Sequence, residues 1–232
     1  MKGEELNCLV MEGLKIRKAT PGDTNRIAEL LGGDPGDEAI GLLGSAEKAM
    51  AFEMGLVRLP NSPRGWRHTA VAELEGKVVG MVQAGGDRQE LKATPRVAYL
   101  ALHTFGPLGV LRLMPRLRAR RRVQTRRPPS SYHIAEIDVD PAYRNRGIGG
   151  ALLEHAETKA RAAGYSVMSL TTTTINPARR LYERHGFRVA ETKTDTTYQQ
   201  LTGIEGRHLM VKELAEPANQ ETGRPGSVSA LD

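Results

Sequence analysis

Arg144, Arg146, Gly147, Gly149 and Gly150 stand between an apolar run ending at Val139 and a helical pattern that sets in at Ala151. The first turn of a helix leaves backbone N–H groups without intrahelical partners, and the helix dipole adds partial positive charge there. Glycines remove the Cβ atoms that would keep a bulky anion from those amides, and they allow positive φ where a tight turn needs it. The two arginines add full charges. A pyrophosphate is the expected guest. The spacing is neither the G-x-G-x-x-G of a dinucleotide fold nor the G-x-x-x-x-G-K-[ST] of a nucleoside-triphosphate loop. A tight turn without a ligand is the plain alternative.

A second pattern follows downstream. Asn176 suits a helix N-cap, Pro177 the first helical position, and Gly186 the left-handed residue after the end, so a short helix is predicted between them. Arg144, Gly147 and Gly149 in the first pattern, with Asn176, Ala178, Leu181, Tyr182, Gly186 and Phe187 in the second, give the chain its likeness. Over about residues 14–214 it resembles the GNAT superfamily of acyl-CoA-dependent N-acyltransferases. The resemblance implies a mixed α+β fold with a central mixed sheet flanked by helices. It also implies acetyl-CoA as cosubstrate, no metal, and a primary amine of a small molecule or a protein as acceptor.

On that resemblance, the backbone of Ile137, Asp138 and Val139 pairs with the pantetheine arm like an added strand. Arg144 and the amides of Asn145, Arg146, Gly147, Ile148, Gly149 and Gly150 hold the pyrophosphate. Asn176 and Arg179 complete the cofactor set. Tyr182 protonates the departing sulfur; its other reading is an aromatic packed in the core with its hydroxyl at the rim. Period-two alternation puts Glu136 and Asp138 on one strand face and Ala135, Ile137 and Val139 on the other. If the acidic face lines the acceptor cleft, Glu136 can serve as general base, with burial raising its pKa; otherwise it is a hydrogen-bonded strand residue. Relatives that acetylate ribosomal proteins carry a Glu where this chain has Thr171, which speaks against that route to a protein N-terminus.

The elements that must position these residues are legible in outline. Residues 14–19 alternate as a first strand, and a helix opens after Thr20, running through Ile27 and Leu30 to a stop at Gly32 and Gly33. Residues 69–74 and 78–83 form a hairpin. Residues 134–139 are the central strand, and 149–163 a helix stopped by Gly164. A β-branched strand at 167–175, the Asn176 helix, and strands at 187–192 and 208–214 complete the order. One further helix is expected before the hairpin. The domain is expected to span residues 14–214, with an extension at 1–13 and a polar, Pro/Gly-rich disordered tail at 215–232.

Composition narrows the function classes. Cys8 is the lone cysteine, so no intrachain disulfide forms and a reducing cytoplasm fits. The 6 histidines show neither i,i+4 pairing nor cysteine companions, which argues against a protein-built metal site. No Gly-x-Ser-x-Gly elbow offers acyl-enzyme chemistry. No apolar run is expected to span a membrane.

The formal charge of +6 has a local source in eight arginines from Arg112 to Arg127, with no acid among them. They belong to an insertion at about 84–131, between the third and fourth strands, too long for a plain loop and expected to be helical. Three readings stand for the block. It is a solvated surface, a dock for RNA or another acidic partner, or a contact for acyl-CoA phosphates or an acidic acceptor. Leu108, Leu111, Met114 and Leu117 give a helical stripe upstream, which would suit a membrane-surface helix. Pro115 is expected to interrupt it and the stripe to pack in the core. Nearly no aromatic residues accompany the arginines, which argues against base stacking. A homodimer is open. The contrasting function is a GNAT-fold acyl-CoA-binding module whose arginines dock RNA or an acidic partner.

Overall fold

The computed structural model describes residues 13–32, 36–59, 62, 64–86 and 94–214. The expected N-terminal extension with Cys8, the stop at Gly33, the start of the insertion at 87–93 and the expected tail at 215–232 lie outside the described residues, save Gly13. Strand β1 (Lys15–Lys18) leads through a 3-10 turn into α1 (Thr24–Gly32), followed by α2 (Asp37–Leu43) and α3 (Ala46–Arg58). The hairpin β2 (Thr69–Leu74) and β3 (Lys77–Gly85) precedes the long α4 (Pro95–Arg122). Then come β4 (Tyr132–Val139), α5 (Ile148–Ala162), β5 (Val167–Thr173), α6 (Arg179–Arg184), β6 (Arg188–Thr194), α7 (Thr196–Thr202) and β7 (Gly206–Glu213).

The seven strands form one mixed sheet in the order β1-β2-β3-β4-β5-β7-β6. Among the described strands only β4 and β5 run parallel, and their pairing is short: Tyr132↔Met168, His133↔Ser169 and Ile134↔Leu170. On the other side, β4 keeps pace with β3 as far as Val139↔Gly80. Among the described residues, 135–139 therefore have a strand on one edge alone. The sheet opens there into a cleft.

Each face of the sheet carries its own core. Val71, Val78 and Met81 meet Ile27, Leu30 and Val57 of α1 and α3. Ile134, Leu170 and Met210 meet Leu152, Leu153 and Ala156 of α5 on the opposite face. A third cluster, Leu42, Ala119, Val123, Tyr198 and Ile204, joins α2, α4 and α7. The fit is tight at Gly41, where a Cβ would come within 2.3 Å of the Leu201 carbonyl oxygen. Gly41→Ala is expected to overpack the α2–α7 contact and cost about 1–3 kcal/mol, read by chemical denaturation.

Several expectations are corrected. Two helices, α2 and α3, fill the space where one was expected; Ser45 ends the gap between them by accepting from the Lys48 amide at 3.2 Å. Helix α7 was not foreseen, although Asp195 caps it through the Tyr198 amide at 2.8 Å and Gly203 ends it at φ 73. The Asn176 helix begins only at Arg179, because the Asn176 side chain closes a turn onto the Ala178 amide at 2.8 Å.

The insertion also departs from expectation. Pro115 lies inside α4 without ending it, and the break comes at Gly106, with φ 69 and ψ 169. Leu108, Leu111, Met114 and Leu117 are not core; they are exposed by 59%, 66%, 47% and 44%. By length and composition α4 is also apolar enough to cross a membrane, contrary to the expectation of no such run.

His133 on β4 is buried, with Nδ1 2.9 Å from the Ser169 hydroxyl and no partner for Nε2 among the described residues. Burial, with Arg127 and Arg207 adding repulsion, pushes its pKa down to about 3. The unfolded chain takes up this proton below about pH 6.5 while the native state does not. Stability is therefore fully present above that pH and falls by about 1.4 kcal/mol per unit below it. Melting at pH 7 and pH 5 should show the native protein losing more stability than His133→Gln.

Candidate active site

The loop after β4 is built by local capping. Asp140 accepts from the Ala142 amide at 2.9 Å, and its other carboxylate oxygen pairs with Arg26 of α1. Arg26 Nε also donates to the Val78 carbonyl at 3.0 Å, so α1, β3 and this turn are held as one piece. Asn145 and Gly147 then take left-handed conformations, φ 61 and φ 81, and reverse the chain into α5. Its N-cap is Gly147, and no capping side-chain hydrogen bond is found there among the described residues. The amides of Ile148, Gly149 and Gly150 are those without intrahelical partners by helix geometry.

Gly147, Gly149 and Gly150 line a cleft of about 740 Å³ bordered by β4, the turn and α6. Its cationic groups are Arg144, Arg180 and Arg184, and Asn145, Asn176 and Tyr182 also line it. A helix end without a protein cap, beside three guanidinium groups and a cleft of this volume, fits the pyrophosphate and arm of an acyl-CoA.

The glycines have a further role. A Cβ on Gly149 would lie 3.0 Å from Leu181 Cδ2, and one on Gly150 would lie 3.2 Å from His185 Nε2. They admit α6 against α5 as well as sparing the amides.

Ile137, Asp138 and Val139 line the cleft from the strand side. The Asp140 amide bonds back to Val79 on β3, so Ile137 and Val139 present their polar groups to the opened side. There the Val139 amide donates to Asp138 Oδ1 at 2.7 Å and its carbonyl accepts from Arg144 Nε at 3.1 Å. Side chains thus stand where β5 would continue the ladder.

The predicted alternation holds from Glu136 to Val139 and breaks before it. The register slips between Gln83↔Glu136 and Ala84↔Ile134, leaving Ala135 as a bulge. Ile134 rather than Ala135 therefore joins Ile137 and Val139 against α5.

Other predicted residues lie elsewhere. The Ile148 side chain is buried in the core, so only its backbone amide can face an anion. Arg146 stacks over Tyr143, 5.4 Å from the ring centroid. Arg179 pairs with Glu183 at 2.8 Å, one turn along its own helix. Arg180 and Arg184 reach the cleft instead. Their i,i+4 spacing places them on one helix face and was a usable sequence signal.

A second, smaller cavity of about 170 Å³ lies across the opening, lined by Glu38, Glu136, Thr171, Thr172, Asn176, Tyr182 and Arg207 among others. Tyr182 and Asn176 border both cavities and stand at the vertex where β4 leaves β5. Tyr182 is buried, its ring edge-on to Phe187 at 6.4 Å. Burial raises its hydroxyl pKa well above the ordinary value, with Glu136 and Asp138 adding to the effect. The phenol keeps its proton at neutral pH.

Glu136 is held by a guanidinium. Arg64 Nη1 lies 3.2 Å from Glu136 Oε1 and 2.9 Å from Glu53 Oε2. Burial pushes the Glu53 carboxyl up, Arg64 opposing and Glu136 adding. Sequence reasoning did not find Arg64 or Glu53. Nor did it find Glu38, which pairs with Arg207 and lies 2.8 Å from Arg120 of the insertion. No local pattern marks it, because Arg207 is 169 positions away. Glu38→Gln would strand two guanidinium groups. A loss of about 3 kcal/mol is expected, read as a Tm fall of roughly 6–12 °C.

A mixed sheet that parts at its parallel pair, beside an uncapped glycine-rich helix end, defines an acetyltransferase fold of the GNAT type. The family model described as Acetyltransferase (GNAT) family matches residues 47–187, and the chain belongs to that family. It is 36% identical over 85 residues to the streptothricin acetyltransferase of Streptomyces lavendulae, a match covering 36% of this chain and 44% of that protein. The aligned stretch thus spans less than half the length of that relative. A crystal structure of an acetyltransferase superposes with TM-score 0.60 at 25% identity, over 87% of this chain and 100% of the other. An N-acetyltransferase from Staphylococcus aureus Mu50 does so with TM-score 0.59 at 21% identity, over 85% and 99%.

Proposed function

We propose that this protein is an N-acetyltransferase that passes the acetyl group of acetyl-CoA to a primary amine by direct attack. The observation that carries this reading is the parting of β4 from β5 after Ile134↔Leu170, with Tyr182 at the vertex between two cavities. The larger cavity suits the cosubstrate: the Ile137 backbone, and that of Val139 once the Asp138 and Arg144 side chains swing aside, pair with the pantetheine amides, while Arg144, Arg180, Arg184 and the amides of 148–150 hold phosphate. Asn176 spends its carbonyl on the Ala178 amide, and its NH₂ is the group it can offer the arm.

The smaller cavity takes the amine. A thioester is already activated, so the chain needs no nucleophile of its own. Glu136 takes the ammonium proton, directly or through water. The neutral amine nitrogen then bonds to the thioester carbonyl carbon, the C–S bond breaks as Tyr182 gives its proton to the sulfur, and the surplus proton on the new amide nitrogen passes through water to the Tyr182 phenolate, restoring it. The lone Cys8 makes a reducing cytoplasm part of this reading.

Two measurements test it. Acetyl-CoA and CoA, but not ATP, should raise Tm saturably, by up to about 2.7 kcal/mol of stabilisation at a hundred times Kd. A panel of primary amines should then release CoA thiol in at least one case. A Tm shift with no turnover across small amines and peptides would favour an acyl-CoA-binding module instead.

A further inference from the structure

A helix on a protein surface normally turns a polar face outward. Helix α4 is apolar on both faces. Its inner face packs on the domain through Phe105, edge-on to Phe52 at 5.2 Å, and through buried Leu113, Ala119 and Val123. Turned away from the domain it carries Leu111, Met114 and Leu117 on one arc, with Leu108 at the edge of that arc and Tyr99 and Leu102 on the arm before Gly106, all substantially exposed, Tyr99 by 70%. Past Leu117 the same outer arc continues as Arg118 and Arg121, and residues 95–131 contain no acidic residue. Beside that end lies a cavity of about 900 Å³ whose charged lining is Arg121, Arg126, Arg127 and Lys193.

We propose that this face docks the protein on an anionic phospholipid surface, the leucines and Tyr99 entering the acyl boundary and the arginine cavity receiving phosphate headgroups. The charge pattern selects this occupant. Arginines that follow an apolar stripe can extend to headgroup level while the stripe is buried in lipid. The same face of a second copy offers the arginines no acidic partner, since residues 95–131 contain none, and nucleic acid would leave the leucines uncovered. The helix lies on the bilayer rather than across it. Spanning would strip Phe105, Leu113, Ala119 and Val123 from the domain and break the pairs of Arg120 with Glu38 and Arg122 with Asp195. The break at Gly106 also divides the helix into two short arms.

The test is co-sedimentation of the full chain with vesicles of phosphatidylcholine plus phosphatidylglycerol, and with phosphatidylcholine alone, across a salt series. Binding to the anionic vesicles that weakens with salt is expected. Leu111→Asp with Leu117→Asp, and separately Arg118→Glu with Arg121→Glu, should each lower partitioning by about tenfold or more. These side chains are exposed, so melting curves of both variants should match the native protein; Leu108→Ser provides a milder substitute if either does not. Absence of the native protein from anionic vesicles overturns the proposal. So does binding that the leucine variant leaves unchanged, which is the adhesion of any basic surface. A concentration-dependent dimer in light scattering that the leucine variant abolishes would assign the face to a second copy and overturn it too.

Discussion

Tyr182→Phe is expected to lower kcat for acetyl transfer by about 10²- to 10³-fold while leaving acetyl-CoA affinity nearly unchanged. The expectation rests on where the hydroxyl stands. Tyr182 borders both cavities, is buried, and keeps its proton because desolvation and the nearby Glu136 and Asp138 charges disfavour the phenolate. Removing one oxygen leaves the ring against Phe187 and the α6 turn intact, so folding should change little. A CoA-thiol assay with the best amine found by screening, paired with a thermal titration, separates the two parameters. If kcat is unchanged, the tyrosine is a packing residue and another group supplies the proton. If acetyl-CoA affinity falls as far as kcat, its role is in binding.

The second large effect concerns phosphate. Arg180→Ala with Arg184→Ala should raise Kd for acetyl-CoA by about a hundredfold, about tenfold for each charge-assisted hydrogen bond removed at an exposed site. Arg179→Ala should do far less, since Arg179 is occupied by Glu183 at 2.8 Å and does not line the cleft. The contrast within one short helix makes the experiment its own control. Isothermal titration at two salt concentrations should also show a shallower salt dependence for the double variant, as fewer charges face the ligand. Equal effects at 179 and at 180 with 184 would mean that α6 contributes a diffuse positive field rather than specific contacts.

These predictions differ in how far the sequence could have reached them. Tyr182 stood in a recognisable helix pattern. Arg180 and Arg184 carried only an i,i+4 spacing shared by many solvated helix faces. Arg179, adjacent to them, was the residue the pattern suggested, and the Glu183 one turn later decided against it. In the insertion, the periodicity of Leu108, Leu111, Met114 and Leu117 gave a helix correctly. Whether that stripe turned inward was beyond it, since a second apolar face through Leu113, Ala119 and Val123 competed for the same core.

What the chain encoded by itself is local. Left-handed turns at Asn145 and Gly147, caps at Ser45, Thr94 and Asp195, and the alternation of helix and strand each depend on residues a few positions apart, where backbone sterics and short-range hydrogen bonds act directly. What the tertiary structure decided is which distant groups meet. The bulge at Ala135 is a matter of register with β3, and the opening of the sheet follows from β5 leaving β4 after Leu170. Glu38 finds Arg120 because α2 and α4 share one core, and Arg207 because β7 begins just past Ile204 of that core. Such meetings are set by how layers pack, and no short window of sequence contains both partners.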